Sequence, residues 1–212
     1  MAPTLKYERE LWAKGEEIVC GIDEVGRGSW AGPLYVGAVV FDKNCKQIRG
    51  VNDSKALTAR QREKFYKEIK KRARAYATGR AEHHEIDAFG MTAATNLAIK
   101  RAVEALGIQA DMLLIDAFSF DDMECMAVKG GDKVCYSISC ASILAKVERD
   151  KYISEVPEAT LYKFDKNKGY GTKEHLELIK KHGLSGIHRK SFKPIKDSLK
   201  NYKPQVTSYR ND

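Results

Sequence analysis

Residues 20–34 read CGIDEVGRGSWAGPL. Two adjacent acids, Asp23 and Glu24, close an apolar run, and a glycine-rich turn bearing Arg27 follows at once. In a regular strand neighbouring side chains point to opposite faces, so both acids serve one centre only if the strand breaks near Glu24. Gly26 and Gly28 permit that break, because glycine tolerates backbone angles that other residues avoid.

Outward from this stretch, EIVCGID (17–23) and LYVGAVVF (34–41) read as two strands that pair as a hairpin across the turn. TARQREKFYKEIKKRARAYA (58–77) has helical spacing in Phe65, Ile69 and Ala73, with Thr58 as N-cap. A second helix fits MTAATNLAIKRAVEALG (91–107), ended by Gly107. MLLID (112–116) is a short strand, CMAVKGGD (125–132) a weaker one, and SCASILAKVERDKYISEV (139–156) a third helix. A polar loop at 163–172, a helix at 173–183 and a basic segment at 186–195 complete the chain. Strands first, then helices between later strands, indicate an α/β domain with a mixed sheet covered by helices. Residues 1–160 are expected to form the catalytic domain and 161–212 a C-terminal helical, substrate-contacting region.

The chain has 212 residues, enough to bury a good core. Its formal charge of +8 and pI of about 9.1 favour a polyanionic partner. Five irregularly spaced cysteines give neither a disulfide framework nor a zinc-ribbon spacing, as expected of a reducing compartment. The N-terminus has no apolar leader and no segment reaches membrane-span length, so a cytoplasmic protein without membrane attachment is expected; a monomer is expected as well.

Asp116 ends MLLID as Asp23 ends EIVCGID, and Asp132 closes the third candidate strand after Gly130 and Gly131. If these strands are neighbours, Asp23, Glu24, Asp116 and Asp132 converge at one sheet edge, where their mutual repulsion demands cations. Oxygen-only ligands favour Mg²⁺ or Mn²⁺ over zinc. Asp150 competes for the fourth place, although Lys146 four residues earlier makes it a surface ion pair. His83, His84 and Glu85 lack a further carboxylate at ligand spacing, and the basic run from Arg60 to Arg74 alternates in sign like a solvated helix face. Arg189, Lys190 and Lys193 fall in a short segment and read as phosphate contacts; the sequence leaves the role of His188 open.

The block GIDEVGRGSWAGPL resembles the signature of the ribonuclease HII family, and NDSKAL, LLIDAF, KGGD, SISCASILAKVERD, NKGYGTKEH and IHRKSF resemble its remaining blocks in the same order. The resemblance implies a ribonuclease H-like fold and an endonuclease that cuts RNA paired to DNA and single ribonucleotides embedded in duplex DNA. It implies cleavage on the 5′ side of the ribonucleotide, leaving 3′-hydroxyl and 5′-phosphate ends. The family's acids fall on Asp23, Glu24, Asp116 and Asp132, its glycine-arginine-glycine element on Gly26, Arg27 and Gly28, its lysine on Lys55 and its substrate-reading tyrosine on Tyr170. Ser29-Trp30 replaces the family's usual Pro-Leu, and Cys140 its usual alanine. The related ribonuclease HIII carries a glutamate at the third acid, where this chain has Asp116. A nucleic-acid-binding module that no longer cuts would be expected to lack one of the four acids, and none is missing.

Overall fold

The computed structural model describes residues 2–116, 120 and 122–200; Ala117 and Phe118 of the LLIDAF block, and residues 201–212 of the expected C-terminal region, lie outside them. The described strands form one mixed sheet, β1 (Val19–Val25), β2 (Leu34–Val40), β3 (Ala75–Ala81), β4 (Met112–Asp116) and β5 (Cys125–Val128), in the order β3-β2-β1-β4-β5. β2 runs antiparallel to both β1 and β3, while β4 is parallel to β1 and β5 to β4. This is the mixed α/β architecture that the sequence predicts.

The helices are α1 (Lys6–Ala13), α2 (Ala59–Arg72), α3 (His83–Glu104), α4 (Gly131–Val134), α5 (Tyr136–Glu155), α6 (Ala159–Tyr162), α7 (Phe164–Asn167), α8 (Lys173–His182) and α9 (Lys193–Lys200). Thr58 caps α2 in a reciprocal capping box with Gln61, as its position predicts. α3 breaks at Gly90, where φ is +82°, so its regular part begins near the predicted Met91. α5 crosses the sheet so closely that a Cβ at Gly21 would lie 2.3 Å from Ser137 and one at Gly37 2.2 Å from Ala141. Apolar residues of α5 and α2 fill one side of the sheet, and those of α3 fill the other.

Two expectations fail. The end of the predicted 58–77 helix, residues 73–77, is not helical: α2 stops at Arg72, and Ala75–Ala81 pairs with β2 along its whole length. Its buried face is Ala77, Gly79 and Ala81. These residues are small because α3 presses on the strand, and a Cβ at Gly79 would meet the Ala98 carbonyl at 2.2 Å. Asp132 does not close a strand either: β5 ends at Val128, and Asp132 belongs to the one-turn helix α4.

Candidate active site

β1 does not break at Glu24 but runs on to Val25, and the chain turns at Gly26, whose φ is +99°. The two acids reach one cleft for another reason. β2 pairs with β1 through Val25, but β4 pairs only as far as Ile22. Beyond Ile22 β1 is no longer paired with β4, and Asp23 and Glu24 lie on that overhang. A cleft of about 500 Å³ lies there, lined by Asp23, Glu24, Gly26, Arg27, Gly28, Ser54, Lys55, Ser142, Lys146 and Tyr170, among others.

Asp23 is 7 % exposed. Burial pushes its carboxyl pKa well up; a hydrogen bond from Ser142 pulls it down, and Glu24, Asp116 and Asp132 push it further up. Glu24 is also raised, by burial first and by Asp116, against the pull of Arg27. Arg27 sits 3.9 Å from Glu24 and donates to Thr95 Oγ1 over 3.3 Å.

Asp116 Oδ1 accepts from the Gly131 backbone N–H over 2.8 Å, which ties the start of α4 to the end of β4. Gly130 supplies the left-handed turn there, with φ at +66°. Asp132 is 4 % exposed and raised, by burial first and then by Asp53 and Asp116. Lys55, held by a turn in which Asp53 accepts from the Lys55 N–H, places Nζ 3.5 Å from Asp132. Burial pulls the Lys55 ammonium pKa down, but Asp132, Asp53 and Asp23 outweigh it and the net shift is upward. The four acids thus act on one another electrostatically, although among the described residues no three acidic, His or Cys side chains are already closed into a ligand cluster.

Asp150 stands apart, 2.7 Å from Lys146 and 3.9 Å from Arg62, on a different groove between α2 and α5. Glu85 is taken by Arg101 in a two-pronged ion pair, with its carboxyl held down to about 2 by that contact.

Tyr170 is joined to the glycine turn through the backbone: Trp30 and Ala31 N–H groups donate to the Gly169 carbonyl, and Ser29 pairs with Tyr170. Its ring lies 5.3 Å from the Arg149 guanidinium and 5.9 Å from Lys146 Nζ. Gly26 makes room for Arg149, since a Cβ there would meet Arg149 Nε at 2.2 Å, whereas a Cβ at Gly28 would meet no protein atom within 4 Å. Gly28 is thus a cleft-lining residue with open space at its Cβ position. Sequence reasoning missed Ser142 and Lys146 as cleft residues; their signal was their spacing of four on one face of α5, the spacing that also carries Asp150.

The expected phosphate contact at Arg189 is overturned. Its side chain is fully buried, donating to the Gly32 and Arg27 carbonyls at 2.9 and 3.0 Å. Burial first, and Arg149 second, pull its guanidinium pKa down to about 9, so it stays charged at neutral pH. A short basic segment says nothing of which side chain turns inward; Lys190 and Lys193 are the exposed ones. Arg189→Ala strips the donor from the buried Gly32 carbonyl, worth about 1–3 kcal/mol, and from the part-buried Arg27 carbonyl. Chemical denaturation is expected to show that loss, while the slope of duplex affinity against salt stays unchanged.

The sequence profile of the family described as Ribonuclease HII matches residues 20–195. The chain belongs to the ribonuclease HII family. The ribonuclease HII of Caldicellulosiruptor bescii is 46 % identical over 190 residues, covering 88 % of this chain and 92 % of the relative. That of Dehalococcoides mccartyi is 42 % identical over 203 residues, covering 92 % and 95 %. The crystal structure of the ribonuclease H2 from Pyrococcus horikoshii OT3 superposes with a TM-score of 0.71 at 27 % identity, covering 87 % of this chain and 98 % of that one. As a member of that family the protein is a metal-dependent endoribonuclease of the ribonuclease H type, active on RNA in RNA–DNA hybrids. Among the described residues no helix is long and apolar enough to cross a membrane.

Proposed function

We propose that the protein also incises duplex DNA on the 5′ side of a single embedded ribonucleotide, with Asp23, Glu24, Asp116 and Asp132 holding two Mg²⁺ or Mn²⁺ ions. The observation that carries this reading is that the overhanging acids of β1, the open face of Gly28 and the ring of Tyr170 line one cleft. The donor set fits such ions. It is all oxygen, and Asp23, Glu24 and Asp132 are held above the ordinary carboxylate range by burial first and by acidic neighbours after it, an environment that a bound cation relieves.

When bound, the ions supply an activated water on one side of the phosphodiester and stabilisation of the leaving 3′ oxygen on the other. The chain's own residues orient and select. Ser142 fixes the Asp23 carboxyl from α5, Arg27 steadies Glu24 from the turn, and Lys55 and Lys146 add positive charge facing a phosphate. Only the 2′-hydroxyl separates a ribonucleotide from its neighbour, and a turn without a Cβ at Gly28 lets backbone groups approach it. Tyr170 seats the sugar beside that turn. We assign substrate contact to the C-terminal region from residue 161 onward on the same ground, since that region holds Tyr170 against the turn, and we read the protein as a monomer.

The test is a duplex with one ribonucleotide, incubated with the protein and Mn²⁺ or Mg²⁺. A single cut 5′ of the ribonucleotide, with 3′-hydroxyl and 5′-phosphate ends, abolished by chelation, is expected. A 2′,3′-cyclic phosphate would mean that the substrate's own 2′-oxygen is the nucleophile, and would overturn the reading.

A further inference from the structure

Two histidines take no part in the chemistry above. His175, in the first turn of α8, and His188, in the loop beyond it, are both fully buried. Their Nε2 atoms are 3.0 Å apart, so one ring donates and the other accepts.

One end of the contact fixes the direction. The Ser185 backbone N–H donates to His188 Nδ1 over 2.8 Å, and the Ser185 hydroxyl reaches the same nitrogen at 2.7 Å. A backbone N–H cannot accept, so His188 Nδ1 carries no proton and neutral His188 has its proton on Nε2. That proton points at His175 Nε2. His175 must then carry its own proton on Nδ1, which lies 2.9 Å from the Tyr170 carbonyl, a group that only accepts. The bonds close in one direction, from Ser185 through His188 and His175 to Tyr170. A second proton on either ring would set N–H against N–H, and burial already lowers both imidazole pKa values.

The end point of the chain matters because Tyr170 stands between Gly169 and Gly171, with φ at +78° on Gly169. Neither glycine has a side chain that would restrain the tyrosine backbone, so its position depends on hydrogen bonds. Its N–H is held by the Asn167 carbonyl at 2.9 Å, and its C=O by His175. We propose that His188 and His175 are positioning residues for ribonucleotide incision, a one-way hydrogen-bond chain that fixes the Tyr170 carbonyl and with it the pose of the Tyr170 ring over the cleft. This rests on the reading of Tyr170 as the residue that seats the sugar.

Two amides separate the chain from mere packing. In His175→Asn the side-chain NH₂ stands near the place of Nδ1–H and still donates to Tyr170, while the link to His188 is lost. In His175→Gln the amide stands near Nε2 and meets His188, while the Tyr170 carbonyl loses its donor. Each variant leaves one buried group unpaired, so similar losses of thermal stability are expected. Single-turnover incision at a lone ribonucleotide is expected to fall about tenfold or more in the Gln variant and to stay within about threefold of wild type in the Asn variant, with duplex affinity changed little in both. Equal losses in the two amides would overturn the proposal.

Tyr170→Ala, assayed beside them, separates the two layers. Wild-type incision by Tyr170→Ala would sink the reading of Tyr170 itself; slow incision by it together with equal amides would sink the histidine chain alone. Imidazole ¹⁵N spectra of the unaltered protein give a second readout independent of the variants' folding. His175 protonated on Nδ1 and His188 on Nε2 is the expected pattern, and the opposite tautomers would refute the chain.

Discussion

Asp23→Asn is expected to abolish most cleavage and, in the absence of metal, to stabilise the fold. Asp23 is buried, hydrogen-bonded by Ser142, and feels the charges of Glu24, Asp116 and Asp132. Losing that carboxylate removes a ligand of the ions that act on the reacting phosphate, and the rate should fall by at least about 10²–10³-fold. The stability effect has the opposite sign. The folded-state pKa of Asp23 is raised by burial and by its acidic neighbours. Below the unfolded carboxyl pKa of about 3.9 both states are protonated and nothing is lost. As pH rises above that value the unfolded chain releases the proton more readily than the fold does, so the fold loses stability. Asn carries no such penalty. In chelator, the advantage of Asp23→Asn over wild type should therefore grow from pH 4 upward, each kcal/mol showing as about 2–4 °C in Tm for a chain of this size. A variant less stable than wild type at neutral pH would mean that the carboxylate is satisfied in the metal-free fold.

Tyr170→Ala is expected to slow single-turnover incision at a lone ribonucleotide by about a hundredfold, since small errors in placing the reacting phosphate act on rate. Duplex affinity should change only a few-fold, because scattered phosphate contacts maintain it. The truncation leaves the loop in place: Gly169, Asn167 and His175 hold it through backbone atoms that alanine keeps. What is lost is a ring that lies near Arg149 and Lys146, together with its hydroxyl. Tyr170→Phe should fall between the two if ring and hydroxyl both contribute. Equal incision by wild type and Tyr170→Ala would remove this loop from substrate reading.

The acids and the glycine turn were legible because they are local. An apolar run that ends on Asp23 or Asp116 announces a strand end in its own letters, and β1 and β4 do end within two residues of those positions. Thr58 likewise carries its cap in the chain with Gln61. The missed features depend on what lies across the fold. β3 buries alanine and glycine because α3 is close, so no apolar alternation marks it. Arg189 reads as a solvated cation until the carbonyls of Gly32 and Arg27, far away in sequence, are seen to surround it. α1 is tied in the same way: Glu8 accepts from Ser137 N–H at the start of α5, across 129 residues of sequence. No window of sequence contains both partners.

The claim on which the account turns is that Asp23 belongs to a metal site and Asp150 does not. Thermal unfolding of wild type, Asp23→Asn and Asp150→Asn, each with and without Mn²⁺, tests it directly. An ion that binds only the folded chain adds about 2.7 kcal/mol at a hundred times its Kd. The predicted result is a Mn²⁺-dependent rise in Tm for wild type and for Asp150→Asn, and little or none for Asp23→Asn. A full rise in Asp23→Asn, or its loss in Asp150→Asn, would contradict the account.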